Sequence, residues 1–277
     1  MNQELRLRPP FSKFAVYLLL LLGLCAVSAC KGDRATAPAQ TDGVSPEKRG
    51  AEIVAEFLKR DAAAYRKNRV RMTIVSPPEP TKTYDLEIWR KQTPAETLTL
   101  THVVQPAAES DLAALSIEKP NAPTVNVTYV SSSGDFRETG TNKMFFGGLT
   151  AQELLGEWEK YDYRLLGEKD LQGVKVYEVE GTLKPGVDSA IAKSRTLFRA
   201  DTYLPAELRL FNSGGDLVRT FQVTKFKNVD GHEVVWQMEI ENHVRAAKIS
   251  IETLGVDFPA KADDAMFTRE RLKQLAK

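Results

Sequence analysis

Cysteine is almost missing from this chain. Cys25 and Cys30 are the only two, so everything beyond Cys30 can form no disulfide within itself and offers no thiolate pair for a metal. Histidine is nearly as scarce: His102 ends an alternating run, His232 flanks a turn and His243 lies in a hairpin loop. No two of them have the spacing of a helical metal site, and neither a Gly-x-Ser-x-Gly elbow nor a glycine-rich phosphate loop occurs. The histidines read as solvated groups, and Glu239 and Glu241 as cross-strand partners on a wet face. No catalysis, cofactor or metal is therefore expected. Charge of one sign is missing as well, with 38 Lys and Arg against 37 Asp and Glu. Without a basic stripe, nucleic acid is not an expected partner. Long apolar runs are absent, with a single exception.

That exception spans Phe14 to Val27, behind Arg6, Arg8 and Lys13. A basic lead, a short apolar stretch and small residues after it make a signal peptide over residues 1–29. The run falls short of the roughly 20 residues of a membrane-spanning helix. It ends in Val27-Ser28-Ala29-Cys30, which resembles the bacterial lipobox, whose cysteine is lipidated and becomes the first mature residue. Cys25 follows bulky Leu24, where that motif needs a small residue. An exported protein would rarely keep one free thiol near its end, and acylation of Cys30 removes that oddity. One acyl chain anchors weakly and two or more anchor stably; lipobox proteins carry several. Lys31 follows. In enteric bacteria an aspartate there marks retention at the inner membrane, so the resemblance implies an anchor on the periplasmic face of the outer one. Residues 30–45 read as the lipidated end and a flexible tether, rich in Ala, Thr, Gly and Asp.

The densest pattern lies from Ala206 to Val256. Asp230-Gly231 sits between two alternating runs, the strongest short hairpin signal a sequence carries. A two-residue turn pairs Val229 with His232, and counting outward gives Lys225 with Trp236, Val223 with Met238 and Phe221 with Ile240. Asn242 to Arg245 read as a four-residue loop, which pairs Met238 with Ile249 and Trp236 with Ile251. Upstream, the turn cluster Asn212–Asp216 sets Leu208 against Phe221. One face collects Leu208, Leu210, Phe221, Val223, Val234, Trp236, Met238, Ile240, Ile249 and Ile251, with Ala206 beside them. The other shows Glu207, Arg209, Gln222, Thr224, Gln237, Glu239 and Glu241. A sheet with one apolar side must cover it. A packed core and a ligand cavity have the same composition, so both stay open here.

The rest of the chain supports an antiparallel fold. Ser45-Pro46 starts a helix expected to run to about Tyr65, with Ile53, Val54, Phe57, Leu58 and Ala62 as its apolar stripe. Alternating runs at 70–74, 84–88, 97–101, 112–117 and 125–130 predict strands, separated by Pro77-Pro78-Glu79-Pro80 and Gln105-Pro106. Thr150 and Glu153 form a capping box before a short helix through Leu154, Leu155 and Trp158. Strands at 161–167, 174–180 and 195–201 lead into the hairpins above, and a helix over 265–275 closes the chain.

From Phe146 onward the layout resembles the LolA/LolB-like outer-membrane lipoprotein-sorting family. The carrying residues are Phe146-Gly147-Gly148-Leu149, then Leu165-Leu166-Gly167 and Tyr177. Tyr203-Leu204-Pro205 follows, then Leu208, Phe211, Gly215, Leu217 and Val218, then Glu239-Ile240-Glu241-Asn242, and finally Phe267 with Leu272. The resemblance implies a mainly β domain over residues 46–277: a half-open antiparallel β barrel lidded by α-helices. Its cavity would hold the acyl chains of lipids or lipoproteins, lined by the ten apolar residues from Leu208 to Ile251 named above. The function implied is lipid or lipoprotein sorting and transport to the outer membrane. Envelope transport or regulatory proteins are possible partners, besides the membrane reached through the N-terminal anchor. LolA is soluble, whereas a lipobox is a feature of LolB. LolB inserts a bulky apolar residue from an early loop, and the corresponding Gln105 to Ser110 offers none. A second reading is an RseB-like envelope-stress regulator. Those regulators carry a further domain after the barrel, and the end of this sequence at Lys277, just past the closing helix, favours the carrier.

Overall fold

A computed structural model describes residues 43–60, 64–119, 122–140, 149, 158–261 and 263–276. All of these fall within one compact unit, Ala37–Lys277, so a chain beginning at Ala37 retains every described element. The expected signal peptide, Cys30 and most of the tether lie outside the described residues. So does the helix expected after Thr150, up to residue 157.

The described residues form thirteen strands: β1 (Tyr65–Val75), β2 (Lys82–Gln92), β3 (Thr97–Gln105), β4 (Ala113–Glu118), β5 (Val125–Val130), β6 (Asp135–Thr139), β7 (Tyr161–Leu171), β8 (Val174–Leu183), β9 (Lys193–Arg199), β10 (Pro205–Phe211), β11 (Leu217–Val229), β12 (His232–Asn242) and β13 (Ala247–Asp257). They form a single sheet in the order β6-β5-β4-β3-β2-β1-β13-β12-β11-β10-β9-β8-β7. Every described pairing is antiparallel, and every one but β1 with β13 joins strands consecutive in the chain. Two meanders thus meet at one seam, where Met72 opposes Ile251 and Ile74 opposes Ile249. The two edges, β6 and β7, remain apart, which leaves the barrel half open. β6 was not anticipated from the sequence. Its five residues hold one large apolar side chain, Phe136, whose ring meets that of Tyr129 on β5 at a tilt, with centroids 5.1 Å apart.

The Asp230-Gly231 turn forms as its residue types require. Both residues have positive φ, 51° and 83°, as a type I′ turn demands, and Val229 pairs with His232. Phe221 opposes Ile240 and Val223 opposes Met238. Irregularities on both sides of Lys225 place it against Gln237 instead of Trp236. The next loop starts one residue later than its composition suggested. Asn242 stays in the ladder opposite Ala247. Its Oδ1 accepts from the Val244 and Arg245 amides at 3.1 and 3.0 Å and from Arg219 Nη1 at 2.7 Å. Met238 therefore opposes Ile251 and Ile240 opposes Ile249; the pairs Met238 with Ile249 and Trp236 with Ile251 do not form. An offset of two residues preserves the face, because side chains alternate with period two.

Helix α1 (Pro46–Arg60) begins at Ser45, whose Oγ accepts from the Lys48 amide at 3.2 Å. It ends short of the expected Tyr65, because the chain there joins the sheet: the Gln92 amide donates to the Ala64 carbonyl and Tyr65 opposes Lys91. Ile53 and Val54 pack on Val179 and Phe198, with Phe57 and Trp158 ring to ring at 5.0 Å. Gly50 makes this approach possible, since a Cβ there would lie 2.8 Å from the backbone of Arg164 on β7. Gly50→Ala would gain about 1 kcal/mol of helix propensity, but pushing the helix off β7 costs roughly 1–3 kcal/mol and disturbs the aromatic cluster behind it. We expect a lower urea midpoint, and an unchanged or higher one would contradict this contact.

The C-terminal helix α2 (Arg269–Leu275) is capped by Thr268, whose hydroxyl accepts from the Arg271 amide. It follows a 3-10 turn at Asp264–Phe267, so the expected closing helix is broken in two. Leu272 packs on Leu100, Leu115 and Val127. By strand alternation those residues face away from Val103, which belongs to the main cluster. The helix thus covers one side of β3–β5 and leaves the other side to the interior.

Candidate functional site

The main core gathers along the seam. Val70, Met72, Ile74, Leu86 and Val103 of the first meander pack with Leu210, Phe221, Ile240 and Ile249 of the second, and with Leu149 and Ile191. Beyond the seam the same face of β1–β5 is not filled. A cavity of about 980 Å³ lies there, at the upper end of the roughly 300–1,000 Å³ usual for small-molecule sites.

Its floor follows from the register. Val70, Leu86 and Val103 form an apolar row across β1, β2 and β3. Met72 and Ile74 extend it toward Tyr84, and Ile251 borders it from β13. Toward β4 and β5 the floor is made of small side chains, Thr101, Ala114 and Thr128, on directly opposed positions. Small residues leave room above the sheet that large ones would occupy.

Charged residues stand at both ends. Lys82, Glu79, Glu109, Asp111 and Arg245 border the end near Tyr84, and Arg66, Arg90 and Glu118 the other. Tyr84 Oη donates to Glu109 Oε1 at 3.4 Å; burial first, and Glu109 second, push the phenol above its ordinary pKa. Leu112 also lines the cavity and is 44% exposed. It lies outside the stretch Gln105 to Ser110, between the 3-10 turn Ala107–Glu109 and β4.

The ten apolar residues selected from the sequence fall mostly elsewhere. Leu210, Phe221, Ile240 and Ile249 are buried in the main core, with Leu208, Met238 and Ile251 half-buried against it. Val223, Val234 and Trp236 are half-buried, and Lys227 Nζ sits 4.0 Å above the Trp236 ring. Of the ten, Ile251 alone lines this cavity. Strands β1 to β5, which build its floor, were recognised as strands but not as a site, because small Thr, Ser and Ala side chains on alternate positions carry no signal of a cavity.

The remaining polar features serve the sheet. Arg71 and Asp85 form a two-pronged pair at 2.7 and 2.8 Å, and hydrogen bonding from Arg71 holds the Asp85 carboxyl below its usual value. Burial pushes the Glu180 carboxyl up, but the Arg164 hydrogen bond and the charges of Lys193 and Arg195 outweigh it and hold the group low. The histidines are dispersed: His102 Nε2 meets the Ser110 carbonyl at 2.9 Å, His243 Nε2 meets Thr220 Oγ1 at 2.9 Å, and His232 stacks on Phe258. Among the described residues no cluster of His, Cys, Asp and Glu could hold a metal, and no helix is long and apolar enough to cross a membrane.

Solved structures place this architecture. A DUF1329 family protein from Desulfovibrio piger superposes with a TM-score of 0.77 at 20% identity, covering 83% of this chain and all of the other. A domain assigned to outer membrane lipoprotein sorting, from Vibrio parahaemolyticus, gives 0.75 at 18%, covering 82% and 99%. A LolA superfamily protein from Nitrosomonas europaea gives 0.66 at 13%, covering 83% and 100%. The sheet with its open edges and packed helices is therefore the LolA-like half-open barrel. By sequence, a family model described only as an uncharacterized protein matches residues 95–274, well over half of the chain, and the chain belongs to that family. No curated protein matches it.

Proposed function

We propose that this protein is a lipoprotein, anchored through Cys30, that holds acyl chains reversibly in the cavity over β1–β5. Its role would be lipid or lipoprotein sorting and transport to the outer membrane. The observation that carries this reading is the unfilled cavity with an apolar floor in a half-open barrel. A ligand there gains roughly 0.8 kcal/mol per buried methylene, so about eight methylenes contribute near 6 kcal/mol before the cost of immobilisation. That magnitude suits pick-up and release. The description of the Vibrio neighbour as an outer membrane lipoprotein-sorting domain agrees with it.

The test has two parts. A chain starting at Ala37 is titrated with a fluorescent fatty acid, and saturable binding displaced by unlabelled fatty acid is expected. Absence of saturable binding would sink the carrier reading. Metabolic labelling with a clickable fatty acid should mark the full chain but not Cys30→Ala; label persisting in that variant would refute the anchor alone.

A further inference from the structure

Two rows of small side chains cross the floor of the cavity on the side of β3 to β5. In one, Thr99 opposes Ser116, which opposes Asn126; in the next, Thr101 opposes Ala114, which opposes Thr128. Beside them the floor is apolar, at Val70, Leu86 and Val103. Thr99 and Val103 belong to the same strand, so the floor passes from apolar to hydroxyl-bearing within about 13 Å. An acyl chain lying over the apolar row ends, on this side, against hydroxyls.

The charges here are engaged. Arg66, Arg90 and Glu118 border this end, and each takes part in interactions within the protein. The unsatisfied groups are uncharged. Thr99 is 9% exposed and lines the cavity, yet its Oγ1 has no hydrogen-bond partner. Asn68 lines the cavity as well, and its Oδ1 has none either. Buried polar atoms are normally satisfied, so both call for a partner from whatever fills the space.

The placement of protons selects that partner. Asn126 Nδ2 donates to the Gly140 carbonyl at 3.2 Å, which leaves Oδ1 to accept from Ser116 Oγ. With its proton used there, Ser116 can only accept from a ligand. Asn68 Oδ1 also accepts, and the Thr99 hydroxyl can do either. A carboxylate brings acceptors alone and leaves Ser116 and Asn68 unmet. A hydroxyl both gives and takes a proton. Thr99 and Ser116 are directly opposed, with Cβ atoms about 5 Å apart, so one hydroxyl can reach both. Asn68 lies two strands from Thr101, about 10 Å away, and needs a second hydroxyl.

We infer that the cavity takes an acyl ester with an uncharged, hydroxylated headgroup, a glycerol or a sugar. One headgroup hydroxyl sits between Thr99 and Ser116, another donates to Asn68 Oδ1, and the acyl chain lies over Val70, Leu86 and Val103. This rests on the acyl-holding reading above and adds the chemistry of the headgroup.

The experiment uses the chain from Ala37 and four fluorescent probes of equal acyl length: a glycerol monoester, a glucose monoester, the methyl ester and the free carboxylate. Wild type should bind a hydroxylated probe about tenfold more tightly than the methyl ester or the carboxylate, in low and high salt alike. The tighter of the two hydroxylated probes identifies the headgroup. Thr99→Val should remove most of this advantage and leave methyl ester binding unchanged, whereas Thr99→Ser should keep it. Asn68→Leu should reduce it severalfold. Without ligand, Thr99→Val should melt no lower than wild type, because the hydroxyl it removes has no partner. A fall of several degrees would show that this hydroxyl already serves the fold, and would overturn the site. So would a carboxylate bound most tightly, a preference that Thr99→Val does not touch, or equal binding of all four probes; each leaves the acyl cavity standing. No binding of any probe, the methyl ester included, overturns the acyl-holding reading itself.

Discussion

Ile240→Glu is expected to unfold the protein. Ile240 is 0% exposed, opposes Phe221 on one side and Ile249 on the other, and belongs to the cluster at the seam without touching the cavity. A carboxylate there would be enclosed by that apolar cluster. Burying it costs several kcal/mol, and the lost apolar burial adds roughly 1.5–3 kcal/mol. Against a total stability of about 5–15 kcal/mol, the two together remove most or all of the margin. Circular dichroism should show a melting transition lowered by tens of degrees or absent. A variant that melts as wild type does would mean that water reaches this point, and that the cavity extends across the seam.

Ala114→Trp should do the reverse, sparing the fold and abolishing ligand binding. Ala114 sits in the floor opposite Thr101 on one strand and Thr128 on the other, with open space above it. An indole placed there enters the cavity instead of the core, so the overpacking cost of about 1–3 kcal/mol seen in filled interiors should be largely avoided. Its surface of about 150–250 Å² would cover the apolar floor that an acyl chain needs. A fluorescent fatty acid should lose at least tenfold in affinity, about 1.4 kcal/mol, with the melting temperature nearly unchanged. Undiminished affinity would place the ligand elsewhere on the protein.

These two substitutions mark where sequence and structure part company. The hairpins were legible because turn chemistry is local: Asp230-Gly231 dictates its own backbone, and alternation carries the pairing outward to Phe221 and Ile240. The loop after Asn242 shows the limit of such counting, because one side-chain oxygen bound by two amides and a guanidinium decides where the turn begins. The apolar face was legible, but it mostly identified the packed seam. A cavity exists where large side chains are missing, so Thr101, Ala114 and Thr128 carry little signal until the register sets them side by side. Helix α1 was recognised from its stripe, yet its end was misjudged, since Tyr65 takes its conformation from pairing with Lys91, far along the chain.

The seam between β1 and β13 has a consequence for how the chain acquires its structure. Every other strand can zip onto a neighbour a few residues away, which is fast because little entropy is lost in closing a short loop. β1 and β13 stand at opposite ends of the sheet-forming sequence, and all the other strands lie in the connection between them. The two meanders can therefore grow as separate halves, each with its apolar edge exposed, until the last strand arrives. Emergence of β13 sets the moment at which Met72, Ile74, Ile249 and Ile251 leave water together. Before that moment the halves are open to pairing with the wrong chain.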